Sequence, residues 1–256
     1  MFCVNCGTKI EPSWNFCPVC ACDLHSKNNT QNFTNKDFDI KDGVLVKYYG
    51  EAEEIWIPSN VTAIGREAFI EKEYLRSVHI PEGCEKIGYR AFYHCNNLRN
   101  VDFPDSLYEI GWSSFGFCKT LSEIQLPPKL KIIERWAFDW TAISEVIIPV
   151  SVEKIYYHAF DKVKKIEFKG NLPEIIHDEN VDYLEGCCGS DLQSITLFSD
   201  YCDAEVIKII IGKSSNHKVS VKHLCKNCGN ILNRIGFWSS KWECPKCGNV
   251  SNVKFN

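Results

Sequence analysis

The sequence lacks any run of apolar residues that approaches the roughly 18 needed for a membrane-spanning helix. It also does not open with a secretion signal, which would show a positively charged stretch followed by about 7 to 15 apolar residues. We therefore expect no membrane span and a protein that is made and kept in the cytoplasm.

Common catalytic motifs are absent as well, since the chain has no P-loop, no G-x-G-x-x-G and no G-x-S-x-G. The vicinal pair Cys187 and Cys188, with His177 and Asp178 ten residues earlier, is the one arrangement that suggests a thiol nucleophile. Without geometry such a grouping is a weak signal. A thiol-dependent enzyme is the third and least supported hypothesis, and we expect no enzymatic activity.

Charge is unevenly distributed along the 256 residues. The formal net charge is −4, but residues 213–256 hold eight Lys/Arg against the single acid Glu243, which leaves −11 for residues 1–212. With 45% hydrophobic and 24% charged residues, the composition is that of a soluble globular protein. The body is acidic and the C-terminal tail is basic.

The 15 cysteines do not follow the pattern of a disulfide scaffold, because eight of them form four C-x-x-C pairs, a spacing that suits a metal ion. Two such pairs offer four thiolates at tetrahedral corners, about 2.3 Å from zinc. The eight predicted ligands are Cys3, Cys6, Cys17 and Cys20 near the N-terminus, and Cys225, Cys228, Cys244 and Cys247 near the C-terminus. Four thiolates close the coordination shell, so we predict two structural Zn²⁺ ions and no catalytic metal.

Both cysteine segments resemble the small bacterial zinc ribbons, whose knuckles read C-x-x-C-G and C-P-x-C-G. Gly7, Gly229 and Gly248 follow their knuckles as expected, whereas Ala21 departs from the pattern and Cys22 beside it can compete with Cys20 as a ligand. The alternative is a redox-active dithiol or a disulfide. We favour zinc, because thioredoxin-like motifs occur singly on a βαβ frame that this sequence does not show.

The central part of the chain is a repeat of 22 to 23 residues with the form V-x-I-P-x-x-V-x-x-I-G-x-x-A-F-x-x-x-x-x-L, as in VHIPEGCEKIGYRAFYHCNNL. Three columns define it: Pro58, Pro81, Pro104, Pro127, Pro149; Ile64, Ile87, Ile110, Ile133, Ile155; and Phe69, Phe92, Phe115, Phe138, Phe160. Each unit is too small to bury its apolar wall alone, so neighbours must stack into a solenoid that rises about 4.8 Å per repeat.

Each unit opens with a predicted short strand in which two inward apolar residues flank an outward one. The inward pairs are Ile55/Ile57, Val78/Ile80, Val101/Phe103, Ile124/Leu126, Val146/Ile148 and Ile166/Phe168, with a weaker unit at Leu192, Ile195 and Leu197. The proline then ends the strand, and we expect the apolar cluster that ends in Ala-Phe to form the opposite wall. Cys84, Cys95 and Cys118 fall in repeat columns and are predicted to pack in the core.

This pattern is similar to the BspA-like leucine-rich repeats of the Treponema pallidum type, and the segment FDIKDGVLVKYYG resembles that family's first cap. The resemblance implies a curved, mostly β solenoid with a parallel sheet on its concave side that is used for protein binding and, in many members, for surface adhesion. The chain departs from the surface-exposed members because it has thiol-based zinc segments and no secretion signal. We predict a zinc ribbon at 1–24, a flexible linker at 25–36, a leucine-rich-repeat solenoid of about five to six repeats at 37–200, a cap or connector at 201–221 and a second ribbon at 222–256.

The outward strand positions form the predicted partner-binding face, where acids and large apolar groups favour a basic protein partner. The residues assigned to it are Trp56, His79, Asp102, Glu123, Gln125, Glu145, Ile147 and Glu167. A plain solvated strand face explains the same residues equally well.

The basic C-terminal ribbon supplies the alternative function, since charge for phosphates and rings for bases are what single-stranded nucleic acid requires. The residues assigned to that role are Arg234, Trp238, Lys241, Trp242 and Lys246. A small module also needs its aromatic residues for its own packing. The first hypothesis is therefore a non-enzymatic zinc-binding scaffold, and the second is a nucleic-acid-associated factor.

Overall fold

The computed structural model describes residues 37–176, 187–189 and 191–197, and beyond them residue 210 and the stretches 220–223, 233–234, 241–243, 245–247 and 250–252. The described residues form strands and turns, so the fold is mostly β, as predicted. The strands are β1 (Phe38–Lys41), β2 (Val44–Tyr48), β3 (Glu54–Trp56), β4 (Ala63–Ile64), β5 (Ser77–His79), β6 (Lys86–Ile87), β7 (Asn100–Asp102), β8 (Glu109–Ile110), β9 (Ile132–Ile133), β10 (Glu145–Ile148), β11 (Lys154–Tyr156), β12 (Lys165–Phe168), β13 (Glu174–Ile176), β14 (Ser194–Leu197), β15 (Ser220–His223), β16 (Asn233–Arg234), β17 (Lys241–Glu243) and β18 (Val250–Asn252).

The strands that precede the repeat prolines form what we call the front sheet. It consists of two parallel sections, one with the order β3-β5-β7 and one with the order β10-β12-β14-β15. Within them the columns of the repeat lie in register, so that Ile55 pairs with Val78 and Val146 pairs with Ile166. The predicted inward residues are buried in the core, except that Val101, Phe103 and Ile124 are only partly buried. The predicted solenoid is confirmed.

A second sheet, which we call the back sheet, runs through the isoleucine column in the order β1-β2-β4-β6-β8-β9-β11-β13. The sequence predicts only an apolar cluster here. Most of these strands are two or three residues long, as in Lys86–Ile87, and each pairs in parallel with the strand of the next repeat. At its N-terminal end β1 folds back antiparallel onto β2, and this hairpin covers the first repeat as the predicted cap.

The repeat glycine lies where two back strands approach most closely. Gly111 donates its N–H to the Ile87 carbonyl at 2.8 Å. A Cβ atom on Gly111 would lie only 2.5 Å from that carbonyl oxygen. The glycine therefore allows neighbouring repeats to stack at this spacing.

The Ala-Phe turns form the third wall, and backbone hydrogen bonds join this wall between repeats. The N–H groups of Glu67, Phe69 and Glu71 donate to carbonyls of the next repeat at 2.9, 2.7 and 2.8 Å. These bonds require left-handed backbone at two columns of the repeat, with φ of 49–54° and 52–61°. The columns are Glu67, Arg90, Ser113, Trp136, His158 and Glu71, His94, Phe117, Trp140.

A column of stacked phenylalanine rings fills the interior behind this wall. The column is formed by Phe69, Phe92, Phe115, Phe138 and Phe160. Successive ring centroids lie 4.8–5.4 Å apart with planes within 7° of parallel. Tyr48 of the first hairpin extends the column at a centroid distance of 5.2 Å from Phe69. Every ring of the column is buried, which supplies the core that a single repeat lacks.

One predicted strand is wrong. Residues around Ile124 and Leu126 form no ladder, and the front sheet is interrupted between β7 and β10. Two features coincide with this break. Phe103 replaces a repeat isoleucine with a larger ring that packs edge-on against Phe115, and Pro127-Pro128 removes consecutive N–H donors and restricts the backbone. Phe168 holds the same column as Phe103 in a paired strand, and other repeats share the first proline, so Pro128 is the distinguishing feature to which we attribute the loss of strand pairing.

Strands near the C-terminus form two arrangements. Strand β15 pairs in parallel with β14, so it extends the front sheet across the predicted boundary at residue 222. Strands β16, β17 and β18 form a separate antiparallel sheet.

Candidate protein-interaction surface

The outward side chains of the front sheet lie in two parallel rows. Strand register places Glu54, Ser77 and Asn100 side by side in one row of the first section, and Trp56, His79 and Asp102 in the other. In the second section the corresponding rows contain Glu145, Lys165, Ser194 and Ser220, and Ile147, Glu167, Thr196 and Lys222. The sequence assigned partner contacts to members of these rows, and the strands present them on one face.

A charged cluster centres on His79 in the first section. Its Nδ1 lies 2.5 Å from Asp102 Oδ2, and its Nε2 lies 2.9 Å from Glu54 Oε1. The ring stacks on Trp56 with centroids 4.3 Å apart and planes 9° from parallel. Only the imidazolium can donate to both carboxylates, and in that form the three ionisable groups carry a net negative charge.

The second section of the front sheet combines an exposed apolar group with paired charges. Ile147 is 52% exposed and lies beside Glu167 of the paired strand. Glu145 bonds to Lys165, and Glu167 accepts from Lys169 at 2.5 Å. These pairs are solvent-exposed, so a competing cation can replace either lysine at little cost.

The middle of the face has one acid without a lysine partner. Glu123 and Gln125 are exposed in the interrupted repeat, and no cation of the described residues lies within ion-pair distance of Glu123. No described cation competes for the Glu123 carboxylate, so it can pair with a cation of the partner.

The buried thiols are packing groups, as predicted. Cys95 and Cys118 donate to the carbonyls of Phe69 and Phe92 at 3.1 and 3.2 Å, and each of these carbonyls also accepts a backbone N–H. Burial raises the pKa of Cys84 to about 11 and the pKa of Cys95 to about 12, so neither is a thiolate at neutral pH.

The vicinal cysteines of the thiol-enzyme hypothesis are also buried, with their Sγ atoms 3.9 Å apart. The hydrogen bond in which the Cys188 thiol donates to Cys187, together with burial, raises the pKa of Cys188 well above its ordinary value, which makes it a poor nucleophile. His177 and Asp178 lie outside the described residues.

Most of the predicted zinc ligands lie outside the described residues, namely Cys3, Cys6, Cys17, Cys20, Cys225, Cys228 and Cys244. The eighth, Cys247, is exposed in the turn 245–247 that precedes β18. Within the described part of the chain, no group of three or more His, Cys, Asp or Glu side chains is arranged to hold a metal ion. The donor set of the two cysteine segments, four thiolates each, is one that Zn²⁺ favours.

The nucleic-acid candidates fall on the antiparallel C-terminal sheet. Arg234 lies in β16 opposite Trp242 of β17, and Lys241 begins β17. Lys246 is exposed in the turn 245–247, and Trp238 lies outside the described residues. Their role in binding nucleic acid stays a prediction.

With this geometry in place, comparison with protein families explains the repeat. Residues 45–167 match the BspA type leucine rich repeat region in six copies. The turns of the solenoid match leucine-rich repeats. Residues 2–24 match the zinc-ribbon domain, which covers the N-terminal cysteine segment and supports zinc binding there. The C-terminal ribbon stays a prediction.

Solved structures include repeat proteins of the same kind. The leucine rich repeat protein of T. pallidum is 26% identical with a TM-score of 0.55, and the match covers 63% of this chain and 80% of that protein. A leucine-rich repeat protein from Bacteroides ovatus is 30% identical with a TM-score of 0.49, over 65% of this chain and 45% of that one. The pneumococcal vaccine antigen PcpA is 20% identical with a TM-score of 0.54, over 72% of this chain and 45% of that one, which shows the fold alone. No match was found among curated proteins.

These findings define the coarse character of the protein. Leucine-rich-repeat solenoids are typical protein-interaction frameworks, and the family and structural matches are to repeat proteins, which are typically not enzymes. In the described residues, no helix has the length and apolar character to cross a bilayer.

Proposed function

We propose that the protein is a non-enzymatic, zinc-binding interaction scaffold whose front sheet binds a basic segment of a protein partner. The observation that supports this most directly is the pair of outward rows, which place Glu54 beside Trp56 on one strand and Glu145 beside Ile147 on another. Acidic groups beside large apolar groups on rigid strands suit a segment with Lys or Arg next to apolar side chains.

The His79 cluster provides a preformed part of this surface. The carboxylates of Glu54 and Asp102 are held by one ring that is itself fixed on Trp56, so the partner does not have to order them. A cation that approaches this cluster meets two oriented carboxylates and the indole at the same place. Affinity per contact is therefore higher here than on a mobile acidic surface.

The zinc segments have a structural role in this proposal. Cys3, Cys6, Cys17 and Cys20 would hold one ion and Cys225, Cys228, Cys244 and Cys247 a second, and each ion would stabilise a segment too short to have its own core. Cys22 is the alternative to Cys20. Thiolate ligands require reducing conditions, which favours a cytoplasmic location.

The test is quantitative affinity capture from lysate with the full chain and two matched variants. The first variant, Trp56→Ser with Asp102→Asn and Glu123→Gln, changes only the front sheet. The control, Tyr108→Ser with Asp105→Asn and Glu85→Gln, removes the same kinds of group at exposed positions outside the front strands.

We expect a basic partner to be lost with the first variant and retained with the control. The same partner should elute as salt is raised, because exposed charge pairs are screened. Unchanged capture with the front-sheet variant would show that this face is not the binding surface.

A further inference from the structure

A recess of about 420 Å³ lies beside the turns that precede the last front strands. It is lined by residues from four successive units of the repeat, including Lys119, Trp140, Ser144, Lys164 and Asp191. This volume falls in the range of about 300–1,000 Å³ typical of ligand sites. The recess does not include the outward residues of the front sheet, so it is a separate surface.

The recess carries positive charge on an otherwise acidic body. Lys162 is neutralised by Asp161 at 3.8 Å and Asp191 at 3.7 Å. By contrast, Lys119 and Lys164 have no carboxylate of the described residues within ion-pair distance, and both are exposed. Two uncompensated ammonium groups therefore face a site in a region whose sequence, residues 1–212, has a net charge of −11.

Trp140 supplies the apolar part of the recess. The residue is 52% exposed. Phe117 stacks on its ring at a centroid distance of 5.8 Å, and Lys162 Nζ lies over the ring at 5.1 Å. These contacts hold the ring in place, and a ligand can pack against its exposed part.

We propose that this recess binds an acidic peptide segment of a partner protein, with two carboxylates on Lys119 and Lys164 and an apolar side chain against the exposed part of Trp140. Charge complementarity identifies an anionic ligand. Single-stranded nucleic acid is disfavoured, because its bases stack on open aromatic faces and the Trp140 ring already contacts Phe117 and Lys162. The proposal does not depend on the front sheet, which selects the opposite charge.

The test uses the full chain and a fluorescein-labelled peptide of repeating Asp-Glu-Leu, with binding followed by anisotropy. The variant Lys119→Glu with Lys164→Glu reverses the two recess charges. The control Lys41→Glu with Lys129→Glu makes the same change in net charge at exposed positions that do not line the recess. Thermal unfolding confirms that both variants fold.

We expect the Kd of the peptide to rise on the order of tenfold in the recess variant and less than about twofold in the control, since distant charges are screened beyond about 8 Å at physiological salt. An equal rise in the two variants, or no binding of the peptide to the wild-type chain, would overturn the proposal. If oligo-dT bound more tightly than the peptide, with the same dependence on Lys119 and Lys164, the recess would be assigned to nucleic acid and the proposal would be overturned as well.

Trp140 gives a second readout that charge alone cannot produce. The unlabelled peptide contains no tryptophan, so its binding should change the intrinsic fluorescence of the wild-type chain. Trp140→Phe keeps a ring in the column and should abolish that change. If the change persisted in Trp140→Phe, the peptide would not lie in the recess.

Discussion

The phenylalanine column should make the stability of the solenoid depend on position along it. Phe115 is buried between Phe92 and Phe138, with centroids at 5.1 and 5.3 Å, and Phe103 packs edge-on against it at 5.7 Å. Phe160 is equally buried but, among the described residues, stacks on a single phenylalanine, Phe138 at 5.4 Å. The comparison between these two sites isolates the contribution of ring contacts, because the residue removed is the same.

Removal of a buried phenylalanine side chain costs about 3–5 kcal/mol, and each aromatic pair adds about 0.5–1.5 kcal/mol beyond area burial. We therefore expect Phe115→Ala to lower the free energy of unfolding by about 5 kcal/mol and Phe160→Ala by at least about 1 kcal/mol less. Urea denaturation of the zinc-loaded full chain, followed by circular dichroism, measures both.

Double substitutions sharpen the test. Phe92→Leu and Phe115→Leu remove adjacent rings and should be coupled by about 0.5–1.5 kcal/mol. Phe69→Leu and Phe115→Leu are separated by one ring and should be additive within about 0.5 kcal/mol. Equal costs at Phe115 and Phe160, or equal coupling for the two pairs, would refute the nearest-neighbour explanation of stability.

Two further predictions concern pH and metal. Burial, and to a smaller extent the neighbouring Asp161, raises the pKa of Asp139 from 3.8 to about 6. Between these two pH values the folded state binds more protons than the unfolded chain, so the free energy of unfolding falls as the pH rises through that window. Asp139→Asn should therefore raise the free energy of unfolding at neutral pH by about 1 kcal/mol, after allowance for partial exposure, and flatten the slope; no gain at neutral pH would contradict this. Asp161→Asn is the opposite control, because the hydrogen bond from His158 lowers the pKa of Asp161 and its contribution is present at neutral pH and lost in acid. Metal analysis of reduced protein should find about two zinc ions per chain, one lost in Cys3→Ser with Cys6→Ser and the other in Cys225→Ser with Cys228→Ser; intact disulfides with little zinc would disprove both ribbons.

The repeat columns predict the front strands and the buried phenylalanines because those positions recur at fixed spacing with a period-2 pattern. The back strands cannot be predicted from a period-2 pattern, because a two-residue strand such as Lys86–Ile87 is too short to show alternation. The left-handed backbone at Glu67 and its equivalents is equally hidden. Tertiary hydrogen bonds impose it on residues that do not favour it.

The sequence predicts which residues lie on the candidate surface, but not which of them contact each other. Residue alternation places Trp56, His79 and Asp102 on one face, but the contact between His79 and Glu54 depends on how neighbouring repeats align diagonally. The recess was not predicted at all. Its lining residues run from Lys119 to Asp191 and have no common motif in the sequence.

The break in the front sheet gives the solenoid unequal mechanical properties. On the back, eight strands are joined without interruption, whereas the front consists of two hydrogen-bonded plates with residues 121–127 between them. Bending should therefore concentrate at this repeat, with the back sheet as the inextensible side and the gap as the side that opens or closes. A partner that contacts both plates would set the angle between them, and its affinity would include the elastic energy of that angle.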